Sequence, residues 1–408
     1  MTGPLRNPSF RRVWLADLLS SLGSQVSRMA LILYLFQRLD SVAGLALLVA
    51  LETLPGVLAA PAAGVLADRA SKRAVMVAAD LARAVLLLAV LLDPSPAVIY
   101  AVAALHSVAT VAFQPAQASA VPLILPPGEL PRANGLAQVT ANLVLIGGPL
   151  IGAELFLATG LTTTLLLDAG SFVLSALLLA GTRIRSADHG PAAAVALESA
   201  APRLRVQVLG DVREGWRYAA GHGLVRPLVL LFFVSLSCVG LWLPIAPFFI
   251  REFLGGSERI LALQLAVFGA GGALGGLAAP AIVARLGQGG TLLGALLAEA
   301  ALMTVYSAVS RVAVSVGIIF VWGIVVAVAV VPFYSILQTV VEERFLGRVF
   351  SLLKQSENLA LVLAMGLAVV LRGALSSHWI FTAAGVAYLA VVTAVTMAPS
   401  GRALRAVR

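Results

Sequence analysis

The chain has 408 residues, 60% of them hydrophobic and 12% charged, with a formal net charge of +9. Soluble chains are about 45–50% apolar and about 25% charged, so this composition excludes a soluble enzyme, a disordered protein and a β-barrel porin, whose strands read only weakly hydrophobic. It leaves a helical, polytopic membrane protein, with one cysteine (Cys238) and four scattered histidines that suggest neither a disulfide nor a metal cluster.

In chain order, apolar runs of about 20 residues, each long enough to cross a bilayer, occupy 13–36, 42–67, 74–92, 97–121, 133–158, 162–181, 227–250, 260–284, 291–309, 312–337, 346–371 and 379–397. Only helices satisfy so many backbone groups in lipid. The expected fold is therefore an all-α membrane protein with twelve transmembrane helices. The first run is too long for a signal peptide and lacks a small-residue cleavage site after a short core, so it should be retained as span one. Six spans precede a polar segment containing Pro191, Pro202 and many arginines, and six follow it. This divides the chain into a six-helix bundle (1–182), a cytoplasmic linker (183–225) and a second six-helix bundle (226–408). Residues 206–220 read as an amphipathic helix lying on the inner surface. The halves echo each other weakly, with ELPRANG at 129–135 and ERFLGRVFS at 343–351 in matching places.

Lys and Arg placement sets the direction. With the N-terminus inside, 21 of the 28 basic residues fall in inner segments and five in outer loops; Arg28 and Arg83 lie within spans. Both termini are then cytoplasmic. The positive excess faces anionic inner-leaflet lipid rather than nucleic acid.

The loop between spans two and three reads GVLADRASKRAVM at 64–76. Gly64 permits close helix approach, and Asp68 can cap a positive helix N-terminus. Arg69, Lys72 and Arg73 form a basic cluster that equally serves as a topology anchor. This segment resembles the signature of the major facilitator superfamily, with Ser71 where that family often has glycine or aspartate. The resemblance implies two six-helix halves that rock about a midplane site, with Asp68 latching one state. The matching place in the second half, near Arg285–Gly287, carries no acid, so a second latch is expected to be absent or altered. VMVAADLARA (75–84), FQPAQASAVP (113–122), LPRANGL (130–136) and LLLDAGSFVLSALLL (165–179) look like the drug–proton antiporter branch, which includes macrolide efflux proteins and the enterobactin exporter. Span five carries Gly147, Gly148, Pro149 and Gly152, similar to the antiporter glycine–proline signature but with Ala153 where a further glycine is frequent. Such a pair removes a backbone bond and permits a bend or tight packing. The glycines of span eight (Gly269, Gly271, Gly272, Gly275, Gly276) read as packing alone.

Charges inside hydrocarbon are costly and mark partners or cavities. At 1.5 Å per residue, Arg28 and Glu52 lie roughly 13 and roughly 15 Å below the outer ends of spans one and two, so an ion pair is expected. Protonation of Glu52 would release it. Asp17, Asp80 and Arg83 read as support for an inner gate, with Asp17, like Arg28 and Glu52, also a candidate for proton coupling, whereas Asp168 and Glu154 are expected near the outer surface. Glu299 and Glu357 are the second-half candidates for proton coupling, with Lys354 placed to pair with Glu357 on one helical face. Gln25, Gln114, Gln117, Asn142 and Gln338 are candidate substrate contacts. Phe36, Phe113, Trp242, Phe248, Trp322 and Phe333 are aromatics suited to an apolar cavity.

The leading expectation is a secondary active exporter of small amphiphilic organic compounds, drug- or macrolide-like, driven by proton antiport. It would reside in the inner membrane as a monomer, with protons, lipid and small molecules as partners and no cofactor. The alternatives are export of a siderophore or other self-made metabolite, and a non-transporting receptor or scaffold. No Gly-x4-Gly-Lys-Ser/Thr loop supports ATP drive. Glu342-Glu343-Arg344 has no nearby histidine to suggest enzyme chemistry.

Overall fold

The computed structural model of the protein describes residues 3–184 and 216–407, without the side chains at 61, 64, 65, 67–69, 131, 142, 343, 344, 346, 347 and 351. Among the described residues there is no strand. The long helices are α1 (Pro8–Leu39), α2 (Val42–Arg69), α3 (Lys72–Leu92), α4 (Pro96–Ile124) and a stretch Leu130–Ala180 comprising α5 (130–159) and α6 (161–180). They continue with α7 (Val225–Glu252), α8 (Glu258–Leu286), α9 (Gln288–Ala308), α10 (Val312–Val340), α11 (Glu343–Arg372) and α12 (Ser377–Met397), and a short α13 (Pro399–Arg405) closes the series. Among the described residues eleven continuous segments are long and apolar enough to span a bilayer. The break at Gly160 turns one of them into two, making the twelve expected. Gly160 has φ 79° and ψ −179°, a conformation open to glycine alone.

Helix starts follow local chemistry. Asn7 accepts hydrogen bonds from the N–H groups of Ser9 and Phe10, with Pro8 in the first turn of α1. Ser71 caps α3 by accepting from the Ala74 N–H, so the residue that departs from the family pattern starts the helix. Ser95 and Pro96 do the same for α4.

The contacts group the chain into two compact units. The first is Met1–Asp40 with Leu47–Val206; the second is Ser41–Ala46 with Gln207–Arg408. Of the expected surface helix at 206–220, residues 206–215 lie outside the described residues and 216–220 are helical.

In the first unit α1 packs against the α5–α6 stretch, and α3 against α4 and α6. A core of Val13, Ala16, Met76, Ala79, Phe113, Ala116 and Leu179 fills the space between them. A methyl group at Gly148 would sit 2.5 Å from the Cβ of Gln25, and one at Gly152 would meet the Val26 carbonyl. Apart from Gly160 the backbone of this stretch stays helical, Pro149 included. The glycine–proline signature of span five thus brings α1 into close approach.

In the second unit α7 packs on α11 and α12, α8 on α10, and α9 on α10 and α12. Gly271 and Gly275 of α8 lie directly on the carbonyls of Phe320 and Ile324 in α10, and Gly323 on that of Phe268. Small residues let backbones meet where lipid offers no hydrophobic drive. Phe249, Tyr306 and Phe381 form an aromatic cluster, with ring centroids 4.9–5.9 Å apart. Leu58, Leu92 and Leu277 stand more than four-fifths exposed, as suits a lipid-facing surface.

Candidate functional site

The second unit contains a cavity of about 310 Å³. Its walls are Phe232, Ser235 and Trp242 of α7, Phe268 of α8, Glu299 of α9, and Trp322, Phe333 and Tyr334 of α10, with aliphatic side chains between them. The volume falls in the range of small-molecule pockets, which combine apolar walls with a few placed polar groups. Phe232 and Phe333 stack with centroids 4.9 Å apart and form an aromatic shelf.

Glu299 is the polar centre of this space, and only 2% of it is exposed. Its Oε1 accepts from the Ser235 hydroxyl at 3.1 Å, and its Oε2 from the Tyr388 hydroxyl at 2.9 Å. Among the described residues no ion pair includes Glu299. Neutral donors therefore hold a buried carboxyl group beside an apolar void. Such a group has two ways to be neutralised, by a proton or by a cation entering the cavity.

The first unit manages buried charge differently. Asp80 is fully buried, ion-paired with Arg83 and bonded by the Ser175 hydroxyl at 2.6 Å. The Arg83 guanidinium lies between the rings of Phe113 and Phe172, 4.8 and 4.4 Å from their centroids. Asp168 is 1% exposed and is met by the hydroxyls of Ser27 and Ser171. The groove made by Gly23 and Ser27 on α1 encloses it. Asp17 meets Ser21 and Gln117.

Arg28 and Glu52 form the expected pair at 2.9 Å, with side chains 39% and 21% exposed. Lys354 and Glu357 also pair, at 3.0 Å, and that pair is more exposed still. Trp242, Trp322 and Phe333 line the cavity. Phe113 instead supports Arg83, and Phe248 lies under Arg251 and Arg372. Gln25 packs on Gly148, while Gln114 and Gln338 are exposed and are not among the residues lining this cavity of the second unit. Asn142, Gly64, Asp68 and Arg69 lie outside the described side chains. Of the remaining motif residues, Arg73 donates to the Thr182 carbonyl at 3.3 Å, and Arg12 donates to the Gly181 carbonyl beside it. Two cations thus close the C-terminal end of α6, where the helix dipole is negative.

Sequence reasoning missed Ser235 and Tyr388, the partners of Glu299. It named Asp168 but missed the rest of its stripe on α6, Ser171, Phe172 and Ser175. The i, i+3, i+4, i+7 spacing of that stripe marks a single helix face.

Twelve long apolar helices among the described residues, with buried acids and a cavity in the second unit, are the build of a multi-pass membrane transporter. The family described as the Major Facilitator Superfamily matches residues 13–365, and the chain belongs to that family, which is one of transporters rather than enzymes. Macrolide efflux protein A of Streptococcus pyogenes is 24% identical over 385 residues, which is 91% of each protein. Multidrug efflux pump Tap of Mycobacterium bovis is 28% identical over 291 residues, 68% of this chain and 66% of that protein. The MFS-type transporter YkuC of Bacillus subtilis is 29% identical over 233 residues, 56% of this chain and about half (54%) of that relative. Among solved structures, a bacterial homologue of the iron transporter ferroportin in its inward-facing state superposes with a TM-score of 0.73. That match is 15% identical and covers 99% of this chain and 100% of that one. A peptide transporter of the POT family, solved as a point mutant, gives a TM-score of 0.74 at 14% identity, with 98% and 95% covered. These likenesses establish the fold.

Proposed function

We propose that the protein is a secondary active exporter of small amphiphilic organic compounds, driven by proton antiport through alternating access, with both termini in the cytoplasm of a bacterial cell. The observation that carries this reading is Glu299: a buried carboxyl group held by neutral donors on the wall of an aromatic-lined cavity. A ligand of mixed aromatic and aliphatic body fits those walls. Its protonated amine, if it has one, finds its counter-charge in Glu299, and a proton on Glu299 removes that attraction. One carboxyl group answering to both a proton and a ligand is the minimal device for exchanging one against the other. The names of the macrolide and multidrug efflux relatives agree with an organic cargo. On the same reading the two halves 1–182 and 226–408 move about the linker 183–225, Asp68 latches one of the states, and Arg28–Glu52 serves as a structural pair.

Purified protein in liposomes under an imposed pH gradient tests this. The expected result is accumulation of one or more lipophilic amines against their own gradient, dissipated by a protonophore. Transport of the whole amine panel that ignores both the pH gradient and the protonophore would overturn proton coupling.

A further inference from the structure

The first unit buries two carboxyl groups around one guanidinium. Asp80 holds the ion pair with Arg83, while Asp168 lies within the same charge cluster and forms no ion pair among the described residues. The other ionisable groups facing this cluster are Asp17 of α1 and, on α4, His106, whose ring stands edge-on to Phe172 at 5.7 Å. Arg28, next to Ser27, is committed to Glu52. One cation for two fully buried acids leaves a surplus negative charge, which in a membrane-embedded bundle is expensive unless a proton removes it.

The surroundings of Asp168 are built to accept either form. A Cβ at Gly23 would overlap Asp168 Oδ1 and the Ser171 hydroxyl, so only glycine lets α1 close over the carboxyl group. The Ser27 hydroxyl contacts Asp168 Oδ2 and also lies 3.4 Å from the Ser24 carbonyl. Turned one way it donates to a carboxylate. Turned the other way it donates to Ser24 and accepts from a carboxylic acid. Arg83 is held by its two rings within the same cluster, and its Nε is buried without a hydrogen-bond partner.

We propose that Asp168 is a proton-binding site of the first unit, with Arg83 as the counter-charge it shares with Asp80. Binding forms one O–H bond on the Asp168 carboxylate and removes one negative charge from the cluster. The role rests on the proton-coupled reading above, but the chemistry of the site can be read independently of transport. Infrared difference spectra of the purified full chain in lipid, titrated with acid, would report protonated carboxyl groups by their carbonyl band and its shift in heavy water.

The expected result is a titrating band present in the native protein and in Glu299→Gln but lost in Asp168→Asn. An Asp168→Asn protein that keeps every titrating band would overturn the proposal. Should that variant fail to fold, Ser27→Ala takes its place. It removes a hydrogen bond to the charged form, so the midpoint of the band is expected to move to higher pH, and an unmoved midpoint would overturn the proposal. Native liposomes that export nothing under a pH gradient would defeat the exporter reading alone, and the band would still report on Asp168.

Discussion

Asp80–Arg83 of the first unit and Glu299 of the second hold buried charge in opposite ways, with Asp168 of the first unit on the side of Glu299. In the first, Asp80 and Arg83 are paired, bonded by Ser175 and held against two phenyl rings. In the second, Glu299 receives only neutral donors and stands on the wall of a cavity of about 310 Å³. A charge that is fully paired and packed contributes to architecture, because its partner is already present. A charge with neutral donors and adjacent space keeps a vacancy for a mobile partner. On the proposed reading Asp80–Arg83 is a structural pair and Glu299 a working group, although both are buried.

The largest effect should come from breaking the packed pair. Arg83→Leu leaves Asp80 buried without its cation, at a cost of about 3–5 kcal/mol. Thermal unfolding in detergent should show a strongly destabilised protein, and adding Asp80→Asn should recover much of the loss. Next in size is the α8–α10 contact. Gly275→Leu puts a side chain on the Ile324 backbone and should destabilise the second unit by about 1–3 kcal/mol, while Gly276→Leu, with nothing within 4 Å of its Cβ, should be tolerated. Phe333→Leu removes one ring of the cavity shelf at about 1 kcal/mol, which equilibrium binding of a lipophilic amine should read as roughly fivefold weaker affinity. Smallest is Glu52→Gln. Its pair with Arg28 is partly exposed, so stability should change by no more than about 1 kcal/mol and pH-dependent transport should persist. Loss of that pH dependence would move Glu52 from the structural group to the working one and blur the contrast between the units.

Much of the fold was legible because a bilayer leaves few choices. Run length and the need to satisfy backbone groups called for twelve helices, and Gly160 supplies the break between the fifth and sixth. Depth along a helix was legible too: Arg28 and Glu52 were placed at equal depth, and their side chains meet. Rotation about the helix axis was harder to read. Nearly every face of these helices is apolar, so periodicity does not separate lipid from neighbour. Sequence alone therefore does not tell which way Gln114 and Gln338 face, and in the structure both are exposed. That Asp168 is enclosed was not legible, because the residue that encloses it, Gly23, lies on a different helix far away in the chain. Glu299 was found as a mid-span acid, but its hydroxyl partners come from α7 and α12, a tertiary arrangement that no local pattern encodes.

The central claim is that Glu299 exchanges a proton for a cationic ligand. Its most direct test is equilibrium binding of a lipophilic amine that stays protonated across the range studied, measured against pH in native protein and in Glu299→Gln. Competition predicts that native affinity falls about tenfold for each pH unit once Glu299 takes up its proton, an increment of about 1.4 kcal/mol. Glu299→Gln should bind weakly and with no pH dependence. Native-like affinity and the same pH profile in Glu299→Gln would contradict the account.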